Sequence, residues 1–451
     1  MGKFRFIDLF AGLGGFHLAL SRLGGECVFA SEIKPKLRKL YKQNFPDTPI
    51  YGDITQIDEK DIPEHEVLCG GFPCQPFSHA GKELGFDDEE GRGNMFMEIC
   101  RILRHHKPKY IFLENVQPLM NHDEGNTWRV ISDCLDELHY DIRTEIFSPH
   151  QFGIPQHRPR FYIVGMLRDE NGVSGMEQFC FPKVDPKMKS NVRTIVDESD
   201  TYGLHVVRQQ LCEVFDIWQE FVEKTVEREG EMPNWCVKSW EFGADYDFEG
   251  PAPAFQSVEQ LKGKKGSFGH LLQGETKEEL LQGLPSTSQK TTHRSFPETK
   301  KILIRQNREF YERNKDWLDD WKKKLEKFPR TQQSFEWSAD QCDFDIHEHV
   351  VQLRPSGVRV RRMNYVPTIT LCTTSTPIFP FVKVPYEGTK YSADDVRWGR
   401  YISPMECARI QSMHTLKYTG LSVTQQIKAL GNAVNVDVVE MIARQLLKDC
   451  E

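Results

Sequence analysis

The chain has 451 residues, a formal net charge of −8, and 39% hydrophobic and 27% charged residues. That is the balance of a folded globular protein with enough chain for two domains. It excludes a low-complexity chain, and no apolar run approaches the ~18 residues of a membrane helix. The 12 cysteines are scattered, without paired Cys-x-x-Cys spacing. Reduced thiols are therefore expected, with no disulfide framework and no metal site. No signal peptide precedes the first strand-like run, so a cytoplasmic location is expected.

Taken in order, residues 4–10 read as a first strand and Ala11 to Phe16 as a glycine-rich turn. A helix follows over 17–23, a strand over 27–30 ending at Ser31 and Glu32, and a helix from Pro35 to about Phe45. Short strands end near Asp53 and at Cys69. Met95 to His106 is an amphipathic helix, 110–113 a strand ending at Glu114, 127–138 a helix and 161–165 a late strand. Strands alternating with helices imply a doubly wound, mostly parallel α/β sheet, whose ligands sit at the carboxyl ends of its strands. The Gly12 turn, Glu32, Asp53, Cys74 and Glu114 all fall at such ends. Beyond residue 170 the alternation stops. One helix carries Leu204, Val207, Leu211, Val214, Trp218, Phe221 and Val222 at helical spacing, and another Phe310, Trp317, Trp321 and Leu325. These stripes read as core rather than as nucleic-acid stackers. Residues 251–299 read as a long loop or mixed segment, and a helix returns over 425–447.

Pro73-Cys74-Gln75-Pro76 places a thiol between two residues of fixed φ, just past a buried strand. A packing cysteine needs no such stiffness, whereas a nucleophile held over a substrate does. The turn at Gly12 lacks the dinucleotide G-x-G-x-x-G spacing. Glu32 can accept from ribose hydroxyls and Asp53 from an adenine amine; singly each is an ordinary loop acid, but together they outline an adenosine site without a phosphate clamp. S-adenosylmethionine fits that outline better than a dinucleotide. Glu114 supplies an acid. Arg158 and Arg160, alternating on an extended segment, supply positive charge, either to the thiolate or to a phosphate. A thiol, an acid and a methyl donor together suit methylation of cytosine C5: attack at C6 makes C5 nucleophilic, and an acid at N3 stabilises the charge that develops in the ring.

The motifs resemble, in order, those of the DNA (cytosine-5)-methyltransferase family. Asp8 to Phe16 resembles its cofactor motif, Gly71 to Ser78 its nucleophile motif, and Gly91 to Phe96 the end of its mobile loop. Glu114-Asn115-Val116 resembles its acid motif and Gln156 to Arg160 its Gln-x-Arg-x-Arg motif. Arg400 to Gln411 and Gly431 to Val434 resemble the last two. The likeness covers residues 4–167 and 398–447; Asn435, where the family usually has an apolar residue, is a minor departure.

The resemblance implies a Rossmann-like S-adenosylmethionine-binding domain over 1–180, completed by 420–451, and a smaller target-recognition domain over 181–419. It implies Cys74, Glu114, Arg158 and Arg160 as catalytic residues. Phe10, Ala11, Gly12, Leu13, Gly14, Gly15, Glu32, Ile33, Asp53, Ile54, Pro73, Asn432 and Ala433 would line the cofactor, released as S-adenosylhomocysteine. Gln75, Ser78, Arg92 and Gln156 would contact duplex DNA around a flipped-out cytosine. Arg354, Arg359, Arg361 and Arg362 form the densest other basic cluster, followed by Thr368 and Thr370; base readout and phosphate contact both suit them. The expected setting is a monomer in a bacterial nucleoid, paired with a separate restriction endonuclease. An RNA-methylating relative would need only a short recognition segment, and a non-catalytic scaffold would not need Cys74 and Glu114.

Overall fold

The computed structural model describes residues 3–73, 95–197, 206–369, 376–384 and 397–448. Two compact units divide the chain: Met1–Asp197 with Asn364–Leu371 and Ser403–Glu451, and Glu198–Met363 with Cys372–Ile402. The last segment of the first unit begins at Ser403, ahead of the residue 420 at which the sequence reading places the return.

The first unit is built on strands β1 (Phe4–Leu9), β2 (Gly25–Ser31), β3 (Ile50–Tyr51), β4 (Val67–Gly71), β5 (Tyr110–Val116), β6 (Tyr140–Phe147), β7 (Gln156–His157) and β8 (Arg160–Leu167). Seven form one sheet in the order β3-β2-β1-β4-β5-β8-β6. Pairs from β3 to β5 are parallel, and β8 runs antiparallel to both β5 and β6. β7 pairs instead with Val366–Pro367. Helices α1 (Gly15–Arg22), α2 (Pro35–Asn44), α3 (Met95–His106) and α4 (Asn126–Glu137) alternate with the strands. The middle strands are apolar on both faces, as a sheet covered on both sides requires. On one face Phe96, Ile99 and Leu103 of α3 and Ile131 and Leu135 of α4 share a core with Ile7, Leu68, Ile111 and Ile163. On the other, the Phe16 ring of α1 meets Phe112 edge-on at 5.1 Å. The C-terminal return, expected as one helix, is two, Val423–Asn432 and Val436–Leu446. Asn435 separates them: it is buried, donates to the Ile410 carbonyl at 2.9 Å and caps the second helix by accepting from Val438 N. The residue that departs from the family's apolar preference is thus a helix cap.

The points where the chain first leaves and last re-enters this unit are tied together. Arg409 donates to the Ile195 carbonyl at 2.8 Å and pairs with Asp197 at 2.9 Å. Asp197 N donates to Glu406 at 3.2 Å.

The second unit contains a six-stranded sheet that the sequence reading did not anticipate. Its order is Arg397–Tyr401, Pro377–Val384, Val350–Arg354, Gly357–Arg361, Ser334–Ser338, Val237–Lys238. Trp218, on the helix Gln209–Glu229, stacks on Phe335 of this sheet at 4.8 Å and is fully buried. Val207 precedes that helix instead of belonging to it, bonding to the Gly399 carbonyl. The stripe from Phe310 to Leu325 is two helices, Glu298–Arg313 and Lys315–Leu325. Asn314 breaks it by donating to both Phe310 O and Glu229 and by accepting from the Trp317 indole. Residues 251–299 hold short helices around a small core of Leu261, Leu272, Leu280 and Phe296. Among the described residues no helix is long and apolar enough to cross a membrane.

Trp218→Ala should empty a stacked core position and cost about 3–5 kcal/mol of stability, read as a lowered midpoint in urea unfolding.

Candidate active site

Strand register sets the rim of the first unit. Ser31 lies opposite Tyr51, Asp8 opposite Ala30, Leu9 opposite Gly70, and Gly71 opposite Glu114. The residues that follow β1, β2, β3 and β4 therefore emerge side by side, level with Glu114. β5 itself runs on to Val116, so Glu114 sits within the strand and not at its end as expected.

Past β1 the chain reverses sharply. Phe10 and Gly12 adopt positive φ (57° and 56°), as does Gly14 (84°). Ala11 N donates to Ser31 O at 2.9 Å, and Gly14 N to Ala11 O at 2.7 Å. Leu13 is buried beneath. Among the described residues, a Cβ on Gly12 would meet nothing nearer than Phe10 O at 3.9 Å beyond its chain neighbours, so those residues leave space beside this turn. Gly15 packs so closely on Val434 that a Cβ would fall 2.5 Å from its methyl. The buried Glu32 takes Gly12 N at 3.0 Å and Lys34 N at 2.8 Å, locking the turn to the end of β2. Its neighbour Ile33 is 62% exposed, an apolar residue left over the open rim. Asp53 accepts from Thr55 N and Oγ1 through Oδ1, and Ile54 is buried behind it. A backbone open above Gly12, an exposed apolar Ile33 and two flanking acids fit an adenosine-bearing cofactor.

The Glu114 carboxylate is the second pole. Oε1 meets Arg160 Nε at 3.0 Å, and Oε2 lies over Gly71, where a Cβ would come within 3.2 Å. Burial raises the Glu114 pKa, and the charges of Arg160 and Arg158 offset this only in part. Burial also pulls Arg158 down to about 9, with Arg160 adding repulsion. The two arginines, read together from the sequence, do different things. Arg160 holds the acid. Arg158 is buried and donates to Gly431 O and Ala433 O, both at 2.8 Å, anchoring the C-terminal segment. Ala433 thus meets the rim through its carbonyl, while Asn432 is exposed.

Asn115 and Asp8 were not singled out by sequence reasoning. Asn115 is buried and donates to Phe72 O at 3.0 Å, pinning the backbone one step ahead of Pro73. Its signal was its place in the Glu-Asn-Val triplet. Asp8, an acid in an otherwise apolar strand, accepts from His17 N at 3.3 Å, and burial pushes its pKa up to about 8. Gln156, expected to contact DNA, is fully buried, and among the described residues its side-chain amide has no partner. Thr368 belongs to the first unit and donates to His157 O at 2.8 Å. In the second unit Arg354 and Arg359 pair with Glu336, and Arg362 with Asp340; Arg361 shares a strand face with Arg359. Cys74, Gln75, Ser78, Arg92 and Thr370 lie outside the described residues. Among those described, no group of three or more His, Cys, Asp or Glu is placed to hold a metal.

The family profile described as C-5 cytosine-specific DNA methylase matches residues 4–448. The chain is 46% identical over 203 residues to the type II methyltransferase M1.ScrFI of Lactococcus lactis subsp. cremoris, covering 44% of this chain and 51% of that one. It is 47% identical over 179 residues to M.HhaI of Haemophilus parahaemolyticus, covering 40% and 53%. The chain thus spans about half the length of the curated relatives it matches. A solved mutant of Spodoptera frugiperda DNMT2 aligns at a TM-score of 0.50 and 17% identity, over 98% of this chain and 99% of that one. EhMeth of Entamoeba histolytica aligns at 0.50 and 16% over the whole of both. At such identities the likeness is one of fold.

Arg160→Gln should raise the Glu114 pKa further by removing its nearest cation, read as an upward shift in a carbon-13 carboxyl titration; a fall would contradict the pairing. Asp8 binds a proton more tightly folded than unfolded. Its contribution to stability is full below the ordinary value of 3.8 and is lost as pH rises towards about 8. Asp8→Asn should flatten that decline in urea unfolding measured across the same interval.

Proposed function

Because the chain belongs to the C-5 cytosine-specific DNA methylase family, we propose that it transfers a methyl group from S-adenosylmethionine to C5 of a cytosine flipped out of duplex DNA. The observation that carries this reading is Glu114, buried, held by Arg160 and level with Gly71, three residues ahead of Cys74.

In this reading the cofactor supplies an electrophilic methyl group. Glu32 and Asp53 orient its adenosine portion, and the backbone turn at Gly12 leaves room for it. Cys74, as thiolate, bonds to C6 of the cytosine, and electron density moves to C5. Glu114, whose raised pKa keeps a proton on it closer to neutrality than an ordinary carboxyl, donates to N3 as that density develops. Arg160 fixes the carboxyl plane. C5 takes the methyl group and loses its proton to a base, Cys74 leaves as the C5–C6 double bond reforms, and N3 returns its proton to Glu114. Arg158 acts at one remove: by holding Gly431 and Ala433 it positions the return segment against the glycine turn. The second unit would select the target sequence, and the DNA so marked would be spared by a separate restriction endonuclease of the same specificity. The names of the curated relatives M1.ScrFI, M.HhaI and M.MspI, each a type II methyltransferase, support that setting.

Duplex DNA carrying 5-fluorocytosine in many contexts should trap a covalent adduct with the protein and S-adenosylmethionine, since fluorine cannot leave as a proton does. Cys74→Ser should abolish the adduct. Glu114→Gln should slow methylation about 100-fold or more, the scale of one general acid, with cofactor affinity nearly unchanged. An adduct with tRNA alone, or none with any DNA, would sink the assignment.

A further inference from the structure

One face of the second unit's sheet packs on its aromatic core, and the other carries a row of charged and amide side chains beside the buried Val350. Strand alternation sends Phe335, Trp337, Val351, Val358 and Val360 into the core. The same alternation puts Glu336, Gln352, Arg354, Arg359 and Arg361 on the opposite face. Register aligns them across three strands: Glu336 is opposite Arg359, Arg359 opposite Gln352, and Arg354 opposite Gly357. The hairpin turn fixes that register. Gly357 has φ 138°, and a Cβ there would come within 2.6 Å of the Ser334 carbonyl, so no larger residue fits.

Glu336 stands between the two arginines. It accepts from Arg359 Nη2 at 2.5 Å and lies 3.8 Å from Arg354 Nη1. One carboxylate facing two guanidinium groups leaves the trio net positive. Such partly exposed pairs add little to stability, so folding alone gives little reason for an acid in the middle of a basic cluster. Orientation gives a better one. An unpaired arginine swings to the nearest phosphate, whereas an arginine fork held by a carboxylate keeps its remaining N–H groups in one plane, as a guanine edge requires. The Nε of Arg359 is buried and, among the described residues, has no partner, so the fork is anchored through the Glu336 contact.

We propose that Glu336 is a specificity-determining positioning residue, which aims the Arg359 and Arg354 forks at base edges in the major groove and keeps them off the phosphates. The proposal rests on the reading that this unit selects a duplex DNA sequence.

The roles predict opposite movements of two affinities. Dissociation constants are measured over a range of salt for the duplex recovered from the 5-fluorocytosine adduct and for a scrambled duplex of the same composition. Glu336→Gln frees two arginines for phosphates. Affinity for the scrambled duplex should rise severalfold and its salt dependence steepen by about one phosphate contact, while the ratio of target to scrambled affinity falls about tenfold or more. Arg359→Lys keeps the charge but loses the fork, so the ratio should fall with scrambled affinity nearly unchanged. A structural role would weaken both affinities together and leave the ratio alone; that result, or an unchanged ratio in Arg359→Lys, overturns the proposal. A wild-type ratio of one would instead sink the underlying reading that this unit selects sequence.

Discussion

A buried guanidinium fork holds the first unit closed. Arg158 donates to two carbonyls more than 270 positions further along the chain, Gly431 O and Ala433 O. Burial disfavours its charge, and the two carbonyls that accept from it offset part of that cost. The bond is costly to remove from either side. It fixes the turn between the last two helices, and that turn brings Val434 against Gly15 and near Gly71. The glycine turn, the end of β4 and the acid on β5 are thus assembled from three distant stretches around one side chain.

The charge balance at Glu114 follows from the same crowding. A carboxylate beside two arginines in water would hold its proton weakly. Here burial outweighs them, and the net direction is upward. Asn115, the next residue, points the other way and binds the backbone that leads to Cys74. Two neighbours on one strand therefore face opposite ways, one carrying the buried carboxylate and the other holding the backbone just past β4, through the alternation that a β-strand imposes.

The buried middle of the first unit was readable because parallel strands covered on both faces are continuous apolar runs. Tyr140–Phe147 was not read as a strand. It lies at the sheet edge and carries Asp141, Arg143 and Glu145 towards solvent, so its apolar signal is halved. The second unit's sheet escaped for a related reason: its strands are short, scattered over about 160 residues and mostly antiparallel. Helix stripes were readable but their breaks were not, because Asn314 and Asn435 end helices through side-chain bonds to residues remote in sequence. At the site, residue types and order carried the reading. What sequence could not separate was Arg158 from Arg160: both are basic and two apart, and only tertiary placement gives one to the acid and the other to the C-terminal turn.

The clamp between Ile195–Asp197 and Glu406–Arg409 has a consequence for how such a chain can diversify. Apart from Asn364–Leu371, which belong to the first unit and pair with β7 there, the chain between those points forms, thermodynamically, loops whose ends are already held. Loop entropy grows only logarithmically with length, so doubling the enclosed chain costs about 0.6 kcal/mol. An enclosed segment can lengthen, shorten or be exchanged at almost no cost to the unit that encloses it, provided its own core is sound. A frame closed in this way is a socket, and lineages can vary what is plugged into it without rebuilding the frame.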